Sequence, residues 1–346
     1  MPLFIVGFPR SGTTLCQSLI ARQLGIPTLP ETHFFERLDD HEPAGGRLRP
    51  DAARALLDEL AGFLDLHRPD FEPLLTQPAV PIRALFLQII AAQIGSPALA
   101  DKGLWMEKTP GHADNLERIV QMFPRARFIC MVRNPTQAFA SRRELMAPGK
   151  GWGETWKPIE ALCTQWAQHL QRMRDFDARH PGQLLRLRLE DIAADAEAAL
   201  VRIRAFVGPG FARPVAGPPQ GAIIQPFETW KRDALGEVDP AISRREGKPA
   251  LDDFETWRVS TLLRDEMAAF GYAVDAPEPP LDDLHRRLLA GLDWYRESFR
   301  SRDALMDVKT ARIRQLLAER VPARPPAPAA ADEEDDVIDV DGDAYD

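Results

Sequence analysis

Apolar residues in this chain fall into short continuous runs separated by segments of helical periodicity. Phe4, Ile5 and Val6 form the first run, as expected of a strand covered on both faces. Gly7 to Gly12 then predicts a turn, and Leu15, Leu19, Ile20 and Leu24 predict a helix opening at Thr13. A second short strand is expected to end at Glu31, and helices are expected over Ala52–Leu66 and Pro81–Ile94. Leu104–Met106 reads as a buried strand running out into Glu107-Lys108-Thr109-Pro110, followed by an amphipathic helix over His112–Met122. Arg127–Val132 is the most strand-like run, and the helix after it carries Ala138, Phe139, Ser141 and Leu145. A long helix over Ile159–Phe176, a strand over Leu184–Leu189 and a helix over Ile192–Phe206 complete the pattern.

Strands alternating with helices, with the Gly7–Gly12 turn between the first strand and helix, predict an α/β fold, a P-loop-type parallel sheet flanked by helices. Residues 211–256 are irregular and Pro-rich, and helical periodicity returns at about 257–270, 282–299 and 302–320. The expected organisation is one domain over residues 1–320, with its α/β core at about 3–208 and helical additions to about 320. Residues 321–346, Pro and Ala followed by an acidic run, are expected to form a disordered tail.

Charge changes the picture only at that tail. The formal net charge of −9 over 346 residues equals the nine acidic side chains of residues 332–346, which include no basic one. Removing those nine from the 52 acidic residues leaves as many as the 43 lysines and arginines, so the body is balanced and no basic face for nucleic acid is expected. Cys16, Cys130 and Cys163 are odd in number and widely spaced, which predicts reduced, buried thiols, and no metal-ligand spacing joins them to the histidines. No leader pattern and no membrane-length apolar run is visible, since Arg83 interrupts the best candidate, so a cytoplasmic protein is expected.

The candidate chemistry begins at the first loop. Strand, glycine-bounded turn and helix make an anion site, because backbone N–H groups converge there at the positive end of the helix dipole. Gly7-x-x-x-x-Gly12 has P-loop spacing, but Thr13 stands where the lysine of a nucleoside triphosphatase is expected, and Arg10 supplies a cation inside the loop instead. Arg133 leaves the end of a strand and Ser141 follows about two helical turns later. Such a pair could grip a second phosphate away from the first loop. Glu31, at the carboxyl end of its expected strand, would lie beside the phosphate loop.

Pro9-Arg10-Ser11-Gly12-Thr13-Thr14 resembles the 5′-phosphosulfate loop of sulfotransferases that use 3′-phosphoadenosine 5′-phosphosulfate (PAPS), in the form closest to the tyrosylprotein and related bacterial branches. Met131-Val132-Arg133-Asn134-Pro135 with Ser141 resembles the family's 3′-phosphate element, and Leu187-Arg188-Leu189-Glu190-Asp191-Ile192 its strand-to-helix junction, with Leu189 where the family often has an aromatic residue. The resemblance covers about residues 3–208 and continues weakly to Trp230-Lys231. It implies that Arg10, Ser11, Gly12, Thr13, Thr14, Arg133, Ser141 and Lys231 bind PAPS, and that adenosine 3′,5′-bisphosphate is the product. Residues 211–256 would then cross the nucleotide.

Sulfuryl transfer needs an activated acceptor and positive charge on the departing oxygen. Lys108, at a strand end, is the candidate for that charge and matches the lysine of the tyrosylprotein branch; Arg10 joins it as a catalytic candidate. Glu31, at the branch's interval from Arg10, is the candidate base, and His33 is the rival. His112 reads as a helix cap, His67 as an exposed loop residue, and His169 and His180 show no partner pattern. The expected acceptor is a small-molecule or peptidyl hydroxyl, or an amine, with no metal, no membrane span and a homodimer allowed. Two rivals stay open: a P-loop kinase-like phosphotransferase and a non-catalytic nucleotide-binding protein. Tyr345, among carboxylates, resembles acceptors of the tyrosylprotein branch, so the tail reads as a solvating appendage or a self-substrate.

Overall fold

The computed structural model describes residues 1–41, 45–103, 105–146, 158–209, 223–225, 228–243, 248, 250–274 and 276–277. Its strands are β1 (Leu3–Gly7), β2 (Arg47–Leu48), β3 (Val80–Pro81), β4 (Met106–Lys108), β5 (Arg127–Val132) and β6 (Leu184–Arg188). Four of them form one sheet in the order β4-β1-β5-β6, and every pairing is parallel. β2 and β3 make a separate antiparallel pair.

The continuous apolar runs are explained by helices on both faces of the sheet. Successive side chains of a strand point to opposite faces, so Phe4 and Val6 enter one core while Leu3 and Ile5 enter the other. Phe128, Cys130 and Val132 divide from Ile129 and Met131 in the same way along β5. The first core holds an aromatic cluster in which Phe4 meets Trp105 edge-on at 5.5 Å and Phe128 stacked at 5.6 Å. The second packs helix Thr13–Leu24 and helix Ala196–Val207 through Leu15, Leu19, Ile20, Leu200 and Ile203. All three cysteines are free and buried, as expected, and burial pushes the Cys16 thiol up to about 12.

Several boundaries moved. The strand expected to end at Glu31 is reduced to one bridge, Thr28 to Met106, so Glu31 follows the sheet edge without belonging to a strand. Gln17 substitutes for a longer ladder, donating to Thr28 Oγ1 at 2.7 Å and to the Leu29 carbonyl at 2.8 Å. The strand expected over Leu104–Met106 lies at Met106–Lys108, because Phe4 pairs with Glu107 and Ile5 with Lys108. The hydrophobic pattern missed this, since two of the three strand residues are charged.

The helix expected over His112–Met122 is a 3₁₀ turn at Pro110–Asp114 followed by helix Leu116–Met122. The one expected over Ile192–Phe206 splits at Asp195, whose carboxylate accepts from Ala198 N at 2.9 Å and starts the second helix as its N-cap. The helices expected at 282–299 and 302–320, the acidic tail and Tyr345 lie outside the described residues. Among the described residues, no helix is long and apolar enough to cross a membrane, and no group of three potential metal ligands occurs.

Candidate active site

The loop after β1 takes its shape from close approaches that only glycine permits. Gly7 has φ +148°, and a Cβ there would lie 2.4 Å from the Met131 carbonyl oxygen on β5. Gly12 has φ +85°, and its Cβ would lie 2.6 Å from Leu189 Cδ1. Leu189 therefore packs against the loop from its buried position. Arg10 adopts φ +74° without being glycine. Its carbonyl accepts from Arg133 Nη1 at 3.1 Å, which holds the turned peptide in place.

No side chain caps helix Thr13–Leu24 at Gly12, so the first-turn N–H groups face the loop. Ser11 Oγ is buried there with no hydrogen-bond partner. A buried hydroxyl normally has a partner, so this one suits an anionic ligand that brings its own acceptors. The residues present thus fit the phosphosulfate of PAPS.

Beside the loop, at the carboxyl end of β4, four charged side chains meet. Lys108 Nζ and Lys231 Nζ both donate to Glu31 Oε1, the second at 2.6 Å, and Lys231 also donates to Glu228 Oε1. His33 Nε2 lies 3.4 Å from Glu31 Oε2, and His33 Nδ1 contacts Glu36. Burial would raise the Glu31 carboxyl, but the Lys108 and Lys231 ammoniums, with His33, outweigh it and hold it well below the usual carboxylate range. Burial lowers Lys108, which is fully enclosed, more than Glu31 and Glu228 restore it. For Lys231 the balance reverses: burial lowers it, yet Glu31 and Glu228 together lift it above its ordinary value.

On the other side of β1, the sequence expectation of a second phosphate site far from the loop needs adjustment. Arg133 and Ser141 reach the loop directly. Arg10 Nε donates to Ser141 Oγ at 3.2 Å, and Arg133 bonds the Arg10 carbonyl while Nη2 donates to the Ile242 carbonyl at 3.0 Å. The segment Pro240–Ser243 thus lies against Arg133, whose Nη2 also donates to the Ser243 carbonyl at 3.4 Å. Lys231 arrives from Thr229–Leu235, which packs on helix Thr13–Leu24, where Ser18 Oγ donates to the Leu235 carbonyl at 3.4 Å.

Three contributors escaped sequence reading. Glu107 is completely buried; its Oε1 accepts from the Thr32 hydroxyl at 2.9 Å and the Thr109 hydroxyl at 2.6 Å, and its Oε2 meets His112 Nδ1 at 3.0 Å. His112 is a member of this network and not the expected helix cap, because it lies inside the 3₁₀ turn and the helix Leu116–Met122 has Asn115 at its N-cap. Glu228 is the third. An acidic residue directly after the apolar run Leu104–Met106, and one three residues before a lysine, were the available signals. His169 and His180 also have partners: His169 Nδ1 lies 2.9 Å from the Gln165 carbonyl and His180 Nε2 2.9 Å from Glu117. His67 is exposed, as expected.

Residues 2–212 match the sequence profile of the sulfotransferase family. The chain is similar to the nodulation protein NoeE of Sinorhizobium fredii (strain NBRC 101917 / NGR234), 31% identical over 144 residues, which is 40% of this chain. The match spans 30% of that relative's length. Among solved structures, the sulfotransferase domain of the Synechococcus PCC 7002 olefin synthase aligns with 80% of this chain and 95% of its own, at 19% identity and a TM-score of 0.47. The sulfotransferase domain from the curacin biosynthetic pathway aligns with 80% and 99%, at 18% identity and a TM-score of 0.44.

Proposed function

The chain belongs to the sulfotransferase family, and from that premise we propose that it transfers a sulfuryl group from PAPS to a hydroxyl or amine acceptor, releasing adenosine 3′,5′-bisphosphate. The observation that carries this reading is the contact between Lys108 and Glu31 at the carboxyl end of the sheet, one strand from the phosphate loop. Bound PAPS supplies a sulfuryl group already activated by its phosphate leaving group.

The chain's residues supply the rest. Arg10, Ser11, Gly12, Thr13 and Thr14 offer backbone and side-chain donors at the helix N-terminus. Arg133 and Ser141 supply a cation and a hydroxyl for the 3′-phosphate. Lys108 brings positive charge to the oxygen that keeps the electron pair of the breaking S–O bond, and Lys231 adds a second ammonium. Glu31, ionised in this setting, takes the proton that the acceptor loses as its new O–S or N–S bond forms.

The donor assignment is tested by calorimetry with adenosine 3′,5′-bisphosphate and with ATP. The bisphosphate is expected to bind at least about tenfold more tightly, because a 3′-phosphate adds charge-assisted contacts. Arg133→Ala is expected to cost about 1.5–3 kcal/mol of that binding. Equal affinity for ATP, with Arg133→Ala unchanged, would return the site to the kinase-like reading.

The base assignment has its own test. Glu31→Gln is expected to lower kcat by about 10²–10⁴-fold, since a positioned base contributes that much. His33→Ala, which removes only a neighbour of Glu31, is expected to do less. If instead Glu31→Gln keeps full turnover and His33→Ala loses it, the base is His33, held at Nδ1 by Glu36.

A further inference from the structure

Glu228 is buried, carries no motif, and touches a residue of the transfer machinery. Its carboxylate and that of Glu31 sit on the same ammonium, Lys231 Nζ, while Glu31 also receives Lys108. We propose that Glu228 is a positioning residue of the transfer reaction: by sharing Lys231 with Glu31, it divides one ammonium between the acceptor-side base and the donor-side anion. The inference rests on the sulfuryl-transfer reading of this site.

The placement of Glu228 is rigid. Its Oε2 accepts from Gln225 N at 3.0 Å, and its carbonyl accepts from Lys231 N at 2.9 Å. Gln225 Nε2 in turn donates to the Phe63 carbonyl at 2.6 Å, tying the segment to the turn after helix Pro50–Leu60. Glu228 is 3% exposed and Lys231 7%, so water screens their interaction weakly. The groups around Glu31 are then Lys108 from β4, Lys231 and Glu228 from the segment over helix Thr13–Leu24, His33 two residues on, and Glu36 behind His33.

Two ammoniums face two carboxylates in this group, apart from the His33–Glu36 pair. An anion entering beside it competes with the two carboxylates for the field and donors of the ammoniums. Each ammonium drawn off Glu31 leaves that carboxylate a stronger base, so anion binding and base strength are coupled through Lys231. Glu228 sets the terms of that exchange. With Glu228 charged, Lys231 is held by two carboxylates and its field on both Glu31 and the anion is tempered. With Glu228 replaced by a neutral side chain, Lys231 belongs to Glu31 and the anion alone: the anion binds better and Glu31 becomes a weaker base.

The test is calorimetry of the full chain with adenosine 3′,5′-bisphosphate, from pH 5 to 8, in two buffers of different ionisation enthalpy. Glu228→Gln is nearly isosteric and can still accept from Gln225 N. It is expected to bind the nucleotide about five- to tenfold more tightly, the effect of removing one nearby negative charge. Proton uptake on binding, measured as the difference from Glu31→Gln, is expected to fall in the same variant. Glu228→Asp, which keeps the charge, should stay within about twofold of wild type in affinity if charge is what matters.

A carboxylate with only a structural role would not tighten binding while reducing proton uptake. Weaker binding together with a lower melting temperature, or no change in either quantity, would overturn the role of Glu228. Absence of nucleotide binding by the wild-type chain would overturn the donor reading itself, and this inference with it.

Discussion

Lys108→Ala is expected to lower kcat by about 10²–10³-fold, the usual cost of deleting a preorganised group that stabilises transition-state charge. Lys108 is fully enclosed, borne on β4 and bonded to Glu31, so its ammonium needs no reorganisation to act. Affinity for adenosine 3′,5′-bisphosphate is expected to change by less than about tenfold, because the charge that Lys108 answers develops only as the bond breaks. Glu31 would retain Lys231, so the variant should fold. The measurement is a steady-state comparison of kcat and KM, using an acceptor found by screening phenols, sugars, tyrosyl peptides and lipids with PAPS. Loss of nucleotide affinity with kcat preserved would make Lys108 a binding residue only.

The second large effect concerns stability. Glu107→Ala would strip buried donors from Thr32, Thr109 and His112 of their acceptor at once. Removing one partner of a buried charged network typically costs about 3–5 kcal/mol, most of it from groups left unsatisfied. Thr32 lies between Glu31 and His33, so turnover should fall with stability.

The pH dependence follows from the sign of the shift. Burial would raise the Glu107 carboxyl, but His112 and the hydroxyls of Thr109 and Thr32 prevail and lower it from its ordinary 4.5. A carboxyl lowered by folding contributes stability that is fully present above the unfolded value and is lost as pH falls through the folded one. Denaturant melts should show the wild type losing stability across that acid window and Glu107→Ala showing a flatter curve. Equal stability of the two chains at neutral pH would make the network dispensable.

The parts of the site written locally were legible. β1, the glycine-bounded turn and the helix after it follow one another in sequence, and their apolar pattern, spacing and order suffice to predict the strand, turn and helix of a candidate anion loop. Arg133 and Ser141 were singled out for the same reason, a strand end and a helix eight residues apart, but their contacts with Arg10 were not. Glu31 and Lys108 were singled out as candidates by their intervals and by resemblance, although the strand expected before Glu31 is a single bridge. Lys108 was found despite a misplaced strand, because β4 puts charged residues where the pattern sought apolar ones.

What the sequence alone determined, then, is the α/β alternation, the doubly covered sheet and the loop, each of which depends on neighbours within a few residues. Only the tertiary structure decided which charges share which oxygens. Lys231 reaches Glu31 across 200 residues of chain, Arg10 reaches Ser141 across 131, and Thr32 reaches Glu107 across 75. Periodicity reports the face on which a residue lies, but not the distant residue opposite it. A buried charge tolerated only because of that partner looks, in one dimension, like an exception to the pattern.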